Sequence, residues 1–496
     1  MATAQGSRQP RGGNESDLIS ALQAVLPAGA VIAEEESMRP YECDGLSAYR
    51  QLPRVVVMPR TTDEVQAVLR LCHGRRVPVV ARGAGTSLSG GALPHRNGVL
   101  LSLARFNRIL DLDPFGRTAV VEPGVRNLAI SEAAAVHGLY YAPDPSSQIA
   151  CSIGGNVAEN SGGVHCLKYG LTVHNVLRVR ALTIEGEWLD IGSQGLDAPG
   201  YDLLALMNGS EGMLAVIMEV TVRLLPIPSS AQVALAAFAS VEDAGNAVAG
   251  IIAAGIVPAG LEMMDRLAVS AAEDFVQAGY PTDAEAILIC EIDGIAAEVA
   301  AQLERVREVL RAHRATAIRV AADEAERMQL WAGRKAAFPA VGRLAPDYYC
   351  VDGTIPRHQL AYVLRRIADL SQEYGLPVAN VFHAGDGNLH PLIMYDANKP
   401  GELAKAERFG GDILELSVRV GGTVTGEHGV GVEKLDQMCV QFGAPELRHF
   451  HAVKRVFDPY GLLNPGKAVP SLARCAELGG MHVHSGELPH PELPRF

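Results

Sequence analysis

Short β-branched runs alternate with helix-like stretches from residue 53 onward, and that alternation predicts the fold class. RVVVM (54–58) reads as a strand. TTDEVQAVLRLC follows, with Thr61 and Glu64 at capping-box spacing, so a helix begins there. VPVV (77–80) is a second strand that runs into a glycine loop. GVLLSL (98–103), ILDLD (109–113) and RTAVVEPG (117–124) are further strands before a helix over 126–137. Several short strands precede this second helix, an α+β pattern rather than a strict βαβ repeat. LLPIPSS (224–230) is a proline-marked seam. Beyond it, strands over 231–238, 258–264, 286–292, 316–320 and 348–354 alternate with helices over 241–254, 296–312 and 357–374. Helices over 401–419 and 445–457 follow. The expected organisation is an N-terminal segment (1–50), a first domain (51–228), a second α+β domain (229–468) and a tail (469–496). The first sixteen residues read as disordered, and the tail, with Pro489, Pro491 and Pro494, as irregular.

Composition narrows this picture. The chain has 496 residues, 48% hydrophobic and 20% charged, as in packed globular proteins. A net charge of -13 argues against a nucleic-acid partner. The eight cysteines form no CxxC pair, which speaks against an iron–sulfur or zinc cluster held by this chain alone. They suggest no disulfide framework either, and so a reducing compartment. The polar start MATAQGSRQPRGGNES lacks the apolar core of a signal peptide. The longest apolar stretch, Ala247 to Pro258, is broken by Gly250, Gly255 and Pro258 and is too short for a membrane span.

Two histidine motifs carry the strongest chemical signal. Residues 383–390 read HAGDGNLH and residues 426–429 read GEHG. Asp386, Gly387 and Asn388 supply turn chemistry, so His383 and His390 can converge on the arms of a reversal. With Glu427 they make three ligands of the kind that hold a catalytic divalent metal, and His428 is a spare base. Nitrogen and oxygen ligands leave Zn, Mn and Fe open.

Three polar, glycine-marked segments lie upstream. ARGAGTSLSGG (81–91) follows a strand, and its successive backbone N–H groups can form an anion nest. It is neither a dinucleotide fingerprint nor a P-loop. PDPSSQIACSIGGNVAENSGG (143–163) is too polar for a mid-domain linker, and GSEGMLAVI (209–217) adds a third turn.

In this order and spacing, the three segments resemble the PCMH-type FAD-binding domain of the vanillyl-alcohol oxidase superfamily. Over residues 50–468 the chain resembles the FAD-linked 2-hydroxy acid dehydrogenases of that superfamily. WAGRKAAFPA (331–340), DYYCVDGTIPR (347–357) and HVHSGELPHPELPRF (482–496) resemble its glycolate oxidase branch. The resemblance implies that Arg82, Gly83, Ala84, Gly85, Thr86, Ser87 and Gly90 wrap the FAD pyrophosphate. It implies that Pro143, Asp144, Ser147, Ser152, Gly154, Gly155, Asn156, Asn160 and Gly162 lie along the flavin. Glu211, Gly212 and Ile217 approach the adenine side, and Asn464 of NPGK returns to the flavin. Thr86 stands where covalently flavinylated relatives often have histidine, so the flavin is expected to be non-covalent.

The activity implied is oxidation of a small 2-hydroxy acid, glycolate or D-lactate, to the 2-oxo acid. Arg334 would hold the carboxylate, His383, His390 and Glu427 a metal, and His428 would be the base. Lys335 would face away into solvent, and Asp386 and Asn388 would steady the ligands. Asp352 would repel a second carboxylate, disfavouring D-2-hydroxyglutarate. Electrons would pass to additional flavin and iron–sulfur subunits of a glycolate oxidase complex, or to quinone. The chain would then be cytoplasmic, or peripheral at the inner membrane through a partner subunit. A D-2-hydroxyglutarate or D-lactate dehydrogenase, and a non-catalytic flavin electron-relay subunit, are the alternatives.

Overall fold

The computed structural model describes residues 15–195, 200–471 and 474–475. The stretch 1–14 and the tail from 476, with Pro489, Pro491 and Pro494, lie outside the described residues. Glu15 and Ser16, expected to be disordered, begin a helix, Glu15–Val25.

Two sheets build the first half. Strands Val55–Val57, Val99–Ser102 and Val79–Arg82 pair in parallel, and Val31–Ile32 joins the outer edge antiparallel. The helix Thr62–Arg75 covers this sheet. Thr61 caps it by accepting the Glu64 amide at 3.3 Å, and Arg76 ends it in the left-handed conformation. Its Val65, Val68, Leu69 and Cys72 are buried with Val55, Val57 and Val99. The second sheet is antiparallel, in the order Ile109–Asp113, Thr118–Val121, Val216–Arg223, Val176–Leu182, Trp188–Gly192. A late segment returns to the first sheet: Leu463 bridges Val79, and the Asn464 amide donates to the Val79 carbonyl at 2.8 Å.

The second half centres on a seven-stranded antiparallel sheet. Its strand Ser230–Phe238 buries Ala234, Ala236 and Phe238 on one face and Val233, Leu235 and Ala237 on the other. Burial on both faces explains why such strands read as continuous apolar runs. Helices Val241–Ala253, Ala296–Ala312 and Leu360–Tyr374 line one side, with Arg266–Val276 and Glu324–Lys335 on the other.

Several expectations need correction. The run 348–354 is not one strand: it splits into Asp347–Cys350 and Gly353–Thr354, because Asp352 turns inward to bind a loop. The polar tract 143–163 contains a helix, Ile153–Glu159, anchored by buried Ile153 and Val157. Cys439 and Cys475 are disulfide-bonded across 36 residues, a pairing their spacing does not announce. Among the described residues, no helix is long and apolar enough to cross a membrane.

Candidate functional site

The motif HAGDGNLH joins strands Val378–Phe382 and Pro391–Tyr395 of the large sheet. The His383 amide donates to the Asn388 carbonyl at 3.1 Å, and the Asp386 carboxylate accepts the Asn388 amide at 3.0 Å. Asp386 is therefore a turn residue. The turn puts both imidazoles on one side, with ring centroids 5.0 Å apart and planes at 84°.

The GEHG loop meets them. Glu427 Oε1 lies 3.3 Å from His383 Nε2 and 3.2 Å from His390 Nε2. Two ligand atoms about 2.1 Å from a tetrahedral ion stand roughly 3.4 Å apart, so this spacing fits one cation. Both ring nitrogens of His390 are buried without a hydrogen-bond partner. Such atoms are costly unless something else satisfies them. His383 is fixed from behind by Glu262, whose carboxylate oxygens lie 2.9 and 3.0 Å from Nδ1. That leaves Nε2 for the cation. Although burial opposes ionisation, His383 and Arg334 hold the Glu262 carboxyl below its usual range.

A second carboxylate organises the loop. Asp352, fully buried, accepts the amides of Gly426, Glu427 and His428 at 3.0, 3.2 and 3.1 Å, and the Lys434 ammonium at 2.9 Å. Against the effect of burial, Lys434 and the neighbouring histidines keep it well below the normal carboxylate range. Its charge is spent inside the protein, which removes the expected repulsion of a second substrate carboxylate. From the first domain, Glu211 accepts the amides of Val430 and Gly431, both at 2.7 Å. The GEHG loop and the residues after it are thus held by one carboxylate from each half of the chain.

His428 stacks on His390 with ring planes 3° apart and centroids at 4.9 Å. Burial lowers its pKa to about 4, so the ring is neutral at pH 7 and can accept a proton.

One cavity of about 490 Å³ joins this cluster to the glycine loops. Of the residues expected to bind cofactor, Arg82, Gly83, Ala84, Gly85, Thr86, Ser87, Ser147, Ser152, Gly154, Gly155, Asn156, Glu211, Gly212, Ile217 and Asn464 line it. His390, Glu427 and His428 line its other end, with Lys335 and Phe338. A Cβ on Gly83 would lie 2.1 Å from Ser152 Oγ, and one on Gly154 would lie 2.6 Å from Pro123 Cβ. A side chain at either position would press on the neighbouring segment, so glycine lets the loops pack this closely. The buried Ser152 Oγ has no partner, as expected of a group waiting for a polar cofactor.

The remaining expected residues lie elsewhere. Gly90 packs on Val432, the Pro143 carbonyl accepts from Asn127, and Asn160 caps a helix and accepts the Val173 amide. Asp144 pairs with His165 at 2.8 Å and is not among the residues lining the cavity. Gly162 lies against Glu427 rather than along the loops, since a Cβ there would come within 2.8 Å of Glu427 Oε2. Arg334 does not line the cavity. It is 1% exposed, and Nε and Nη2 reach Glu262 Oε2 at 2.8 and 2.6 Å, behind His383. Its neighbour Lys335, expected to be solvated, is on the cavity wall. Sequence reading missed Glu262, Asp352's true role, and Lys434. Nothing local marks them, since each is defined by a partner far along the chain.

The chain matches the family model for FAD linked oxidases, C-terminal domain, over residues 227–468 and that for an FAD binding domain over 53–192. It is 64% identical over 483 residues to the glycolate oxidase subunit GlcD of Escherichia coli (strain K12), covering 97% of each chain. The GlcD subunit of Bacillus subtilis (strain 168) is 37% identical, covering 88% of this chain and 93% of that protein. A D-lactate dehydrogenase of Archaeoglobus fulgidus is 33% identical, covering 84% and 92%. Among solved structures, p-cresol methylhydroxylase with bound substrate superposes with a TM-score of 0.79 at 17% identity, covering 93% of this chain and 98% of that one. A 4-ethylphenol oxidase from Gulosibacter chungangensis gives 0.78 at 18%, with the same coverage. At such identities the likeness concerns the fold.

Proposed function

We propose, on the premise that the chain belongs to the FAD-linked oxidases, that it oxidises a small 2-hydroxy acid to the 2-oxo acid. Glycolate is the first substrate in this reading, because the Escherichia coli relative bears that activity in its name; D-lactate is the second. The observation that carries the proposal is the single cavity shared by the glycine loops and the histidine cluster.

The segments 51–228 and 229–468 act as flavin and substrate domains. When bound, FAD takes up the hydride from the substrate carbon and a divalent cation makes the substrate hydroxyl more acidic. The chain's own residues do the rest. Backbone groups of Gly83 to Ser87 and Ser152 to Asn156 seat the cofactor without a covalent bond, since Thr86 offers no imidazole. His383, His390 and Glu427 hold the cation. His428, neutral beside them, accepts the hydroxyl proton on a ring nitrogen. Glu262 and Arg334 keep His383 in the tautomer that presents Nε2. Asp352 and Glu211 keep Glu427 and His428 facing the cavity.

The relatives named as subunits support further subunits in a complex. In this reading, electrons leave to a flavin or iron–sulfur partner or to quinone. The intact histidine cluster favours an active dehydrogenase over a non-catalytic relay subunit. An anaerobic screen of flavin reduction tests the proposal. Glycolate should bleach the flavin fastest, D-lactate next, and L-lactate little. Bleaching by none of these overturns it, and rapid bleaching by D-2-hydroxyglutarate alone reassigns the substrate.

A further inference from the structure

The helix Ile153–Glu159 ends with Glu159 in the cavity wall, where the glycine loops meet the histidine end. Two glycines locate its carboxyl group. A Cβ on Gly91, at the end of the first glycine loop, would lie 2.6 Å from Glu159 Oε1. A Cβ on Gly429, beside His428, would lie 2.0 Å from Glu159 Oε2 and 3.1 Å from Glu211 Oε1. The Glu159 and Glu211 carboxyls are therefore near neighbours at the junction of the cavity's two ends.

The two carboxyls are satisfied differently. Glu211 accepts the Val430 and Gly431 amides, one on each oxygen. Glu159 Oε2 is buried with no hydrogen-bond partner. An anion there would have neither water nor a donor, and it would face the Glu211 charge. The amides favour the ionised form of Glu211, so the proton of the pair belongs on Glu159. Burial, followed by the Glu211 and Asp44 carboxylates, pushes the Glu159 carboxyl well above the usual range, against the pull of Lys434 and Lys467. A protonated carboxyl is a donor, and on Oε2 its O–H has no acceptor among the described residues.

We propose that Glu159 meets the bound flavin as a hydrogen-bond donor and, through that bond, favours the reduced cofactor. This rests on the reading that FAD fills the cavity with its reactive ring beside the histidine end. Reduction makes the ring more electron-rich, so a fixed donor binds it more strongly in that state. A neutral acid achieves this without setting an anion against the ring.

The test uses full-length protein loaded with FAD. The flavin midpoint potential is measured by anaerobic dye-coupled titration, and reduced-minus-oxidised infrared difference spectra are recorded beside it. Glu159→Ala should lower the ratio of reduced to oxidised flavin at a fixed potential about tenfold, ~30 mV for a two-electron couple. Glu159→Gln, whose amide still donates, should recover most of that shift and keep the wild-type FAD content. The wild type should show a carboxylic-acid C=O band that moves on reduction, and the Gln variant should lack it. A Gln variant whose potential rises above the wild type would reveal an anion at this position and overturn the proposal. Potentials unchanged in both variants would overturn it too. Should Glu159→Ala fail to fold, the infrared band decides: its absence from the wild type overturns the proposal. Bleaching by glycolate is followed in parallel. The expected shifts without bleaching would uphold the Glu159 assignment and remove the substrate reading alone.

Discussion

The two ends of the cavity are built by opposite means. The cofactor end is mostly backbone: Gly83, Gly154 and Gly155 let segments pack where a Cβ would press on Ser152 or Pro123, and Arg82, Glu159 and Glu211 add ionisable groups to the cavity wall. The histidine end is nearly all side chain. His383, Glu427 and His428 are each tied to a buried carboxylate, with Glu262 behind His383 and Asp352 beneath Glu427 and His428. The contrast follows from what each end must hold. A large cofactor with flat rings and a pyrophosphate is held by shape, backbone N–H groups and scattered hydrogen bonds. A small divalent cation needs converging charge, and buried charge needs partners of its own.

If the ends are chemically separate, each can be broken alone. The largest effect should come from His390→Ala. Metal should be lost and turnover should fall at least about a hundredfold, while the bound-flavin spectrum persists. Full turnover in a variant shown to be metal-free would contradict the ligand assignment.

Gly154→Ala should act the other way. Its Cβ would meet Pro123 Cβ at 2.6 Å and the Pro123 carbonyl oxygen at 3.0 Å, atoms that cannot move far. Overpacking of this kind costs about 1–3 kcal/mol, or roughly 5- to 150-fold in FAD affinity if the bound loop bears it. Metal content, read by elemental analysis, should stay at the wild-type level.

Glu262→Gln should be milder. It keeps the shape but removes the charge that fixes His383, so metal affinity should drop about 10- to 100-fold. Flavin binding should not respond. Equal metal affinity would make the Glu262–Arg334 pair a purely packing feature.

The smallest effect concerns the seam between the domains. His165 bridges Asp144 at 2.8 Å and Glu291 at 3.3 Å. Burial pulls its pKa down, but Asp144 and Glu291 outweigh it and raise the value to about 10. A raised folded-state pKa stabilises fully below the unfolded value near 6.5, and the gain fades as pH climbs to about 10. The stability gap between wild type and His165→Gln should therefore be widest below pH 6.5 and narrow toward pH 10. Urea melts across that range measure it, and a gap that widened with pH would assign the wrong sign.

The same contrast decides what sequence could reveal. The glycine loops and the HAGDGNLH and GEHG motifs are local: turn residues and ligands lie within a few positions, so their pattern predicts convergence. The strand–helix alternation is legible for the same reason. The supports are not local. Glu262 lies 121 residues from His383 and reads as an ordinary strand acid, and Glu211 lies 219 from Val430, so its place among the cofactor residues does not reveal that it also holds that loop. The helix break at Ala336 does have a local mark, Pro339, which has no N–H to bond the Lys335 carbonyl. Asp352 misleads because strand parity cannot show that four residues of a distant loop, with Lys434, absorb its charge.

The central claim is that both ends act on one substrate molecule. Stopped-flow reduction by glycolate under anaerobic conditions tests it most directly, on holoenzyme, on enzyme stripped by a chelator, and on stripped enzyme given back a divalent cation. The account predicts fast bleaching, then little bleaching with the flavin spectrum intact, then recovery. Bleaching at the same rate with the cation removed would show that the histidine end takes no part in the oxidation.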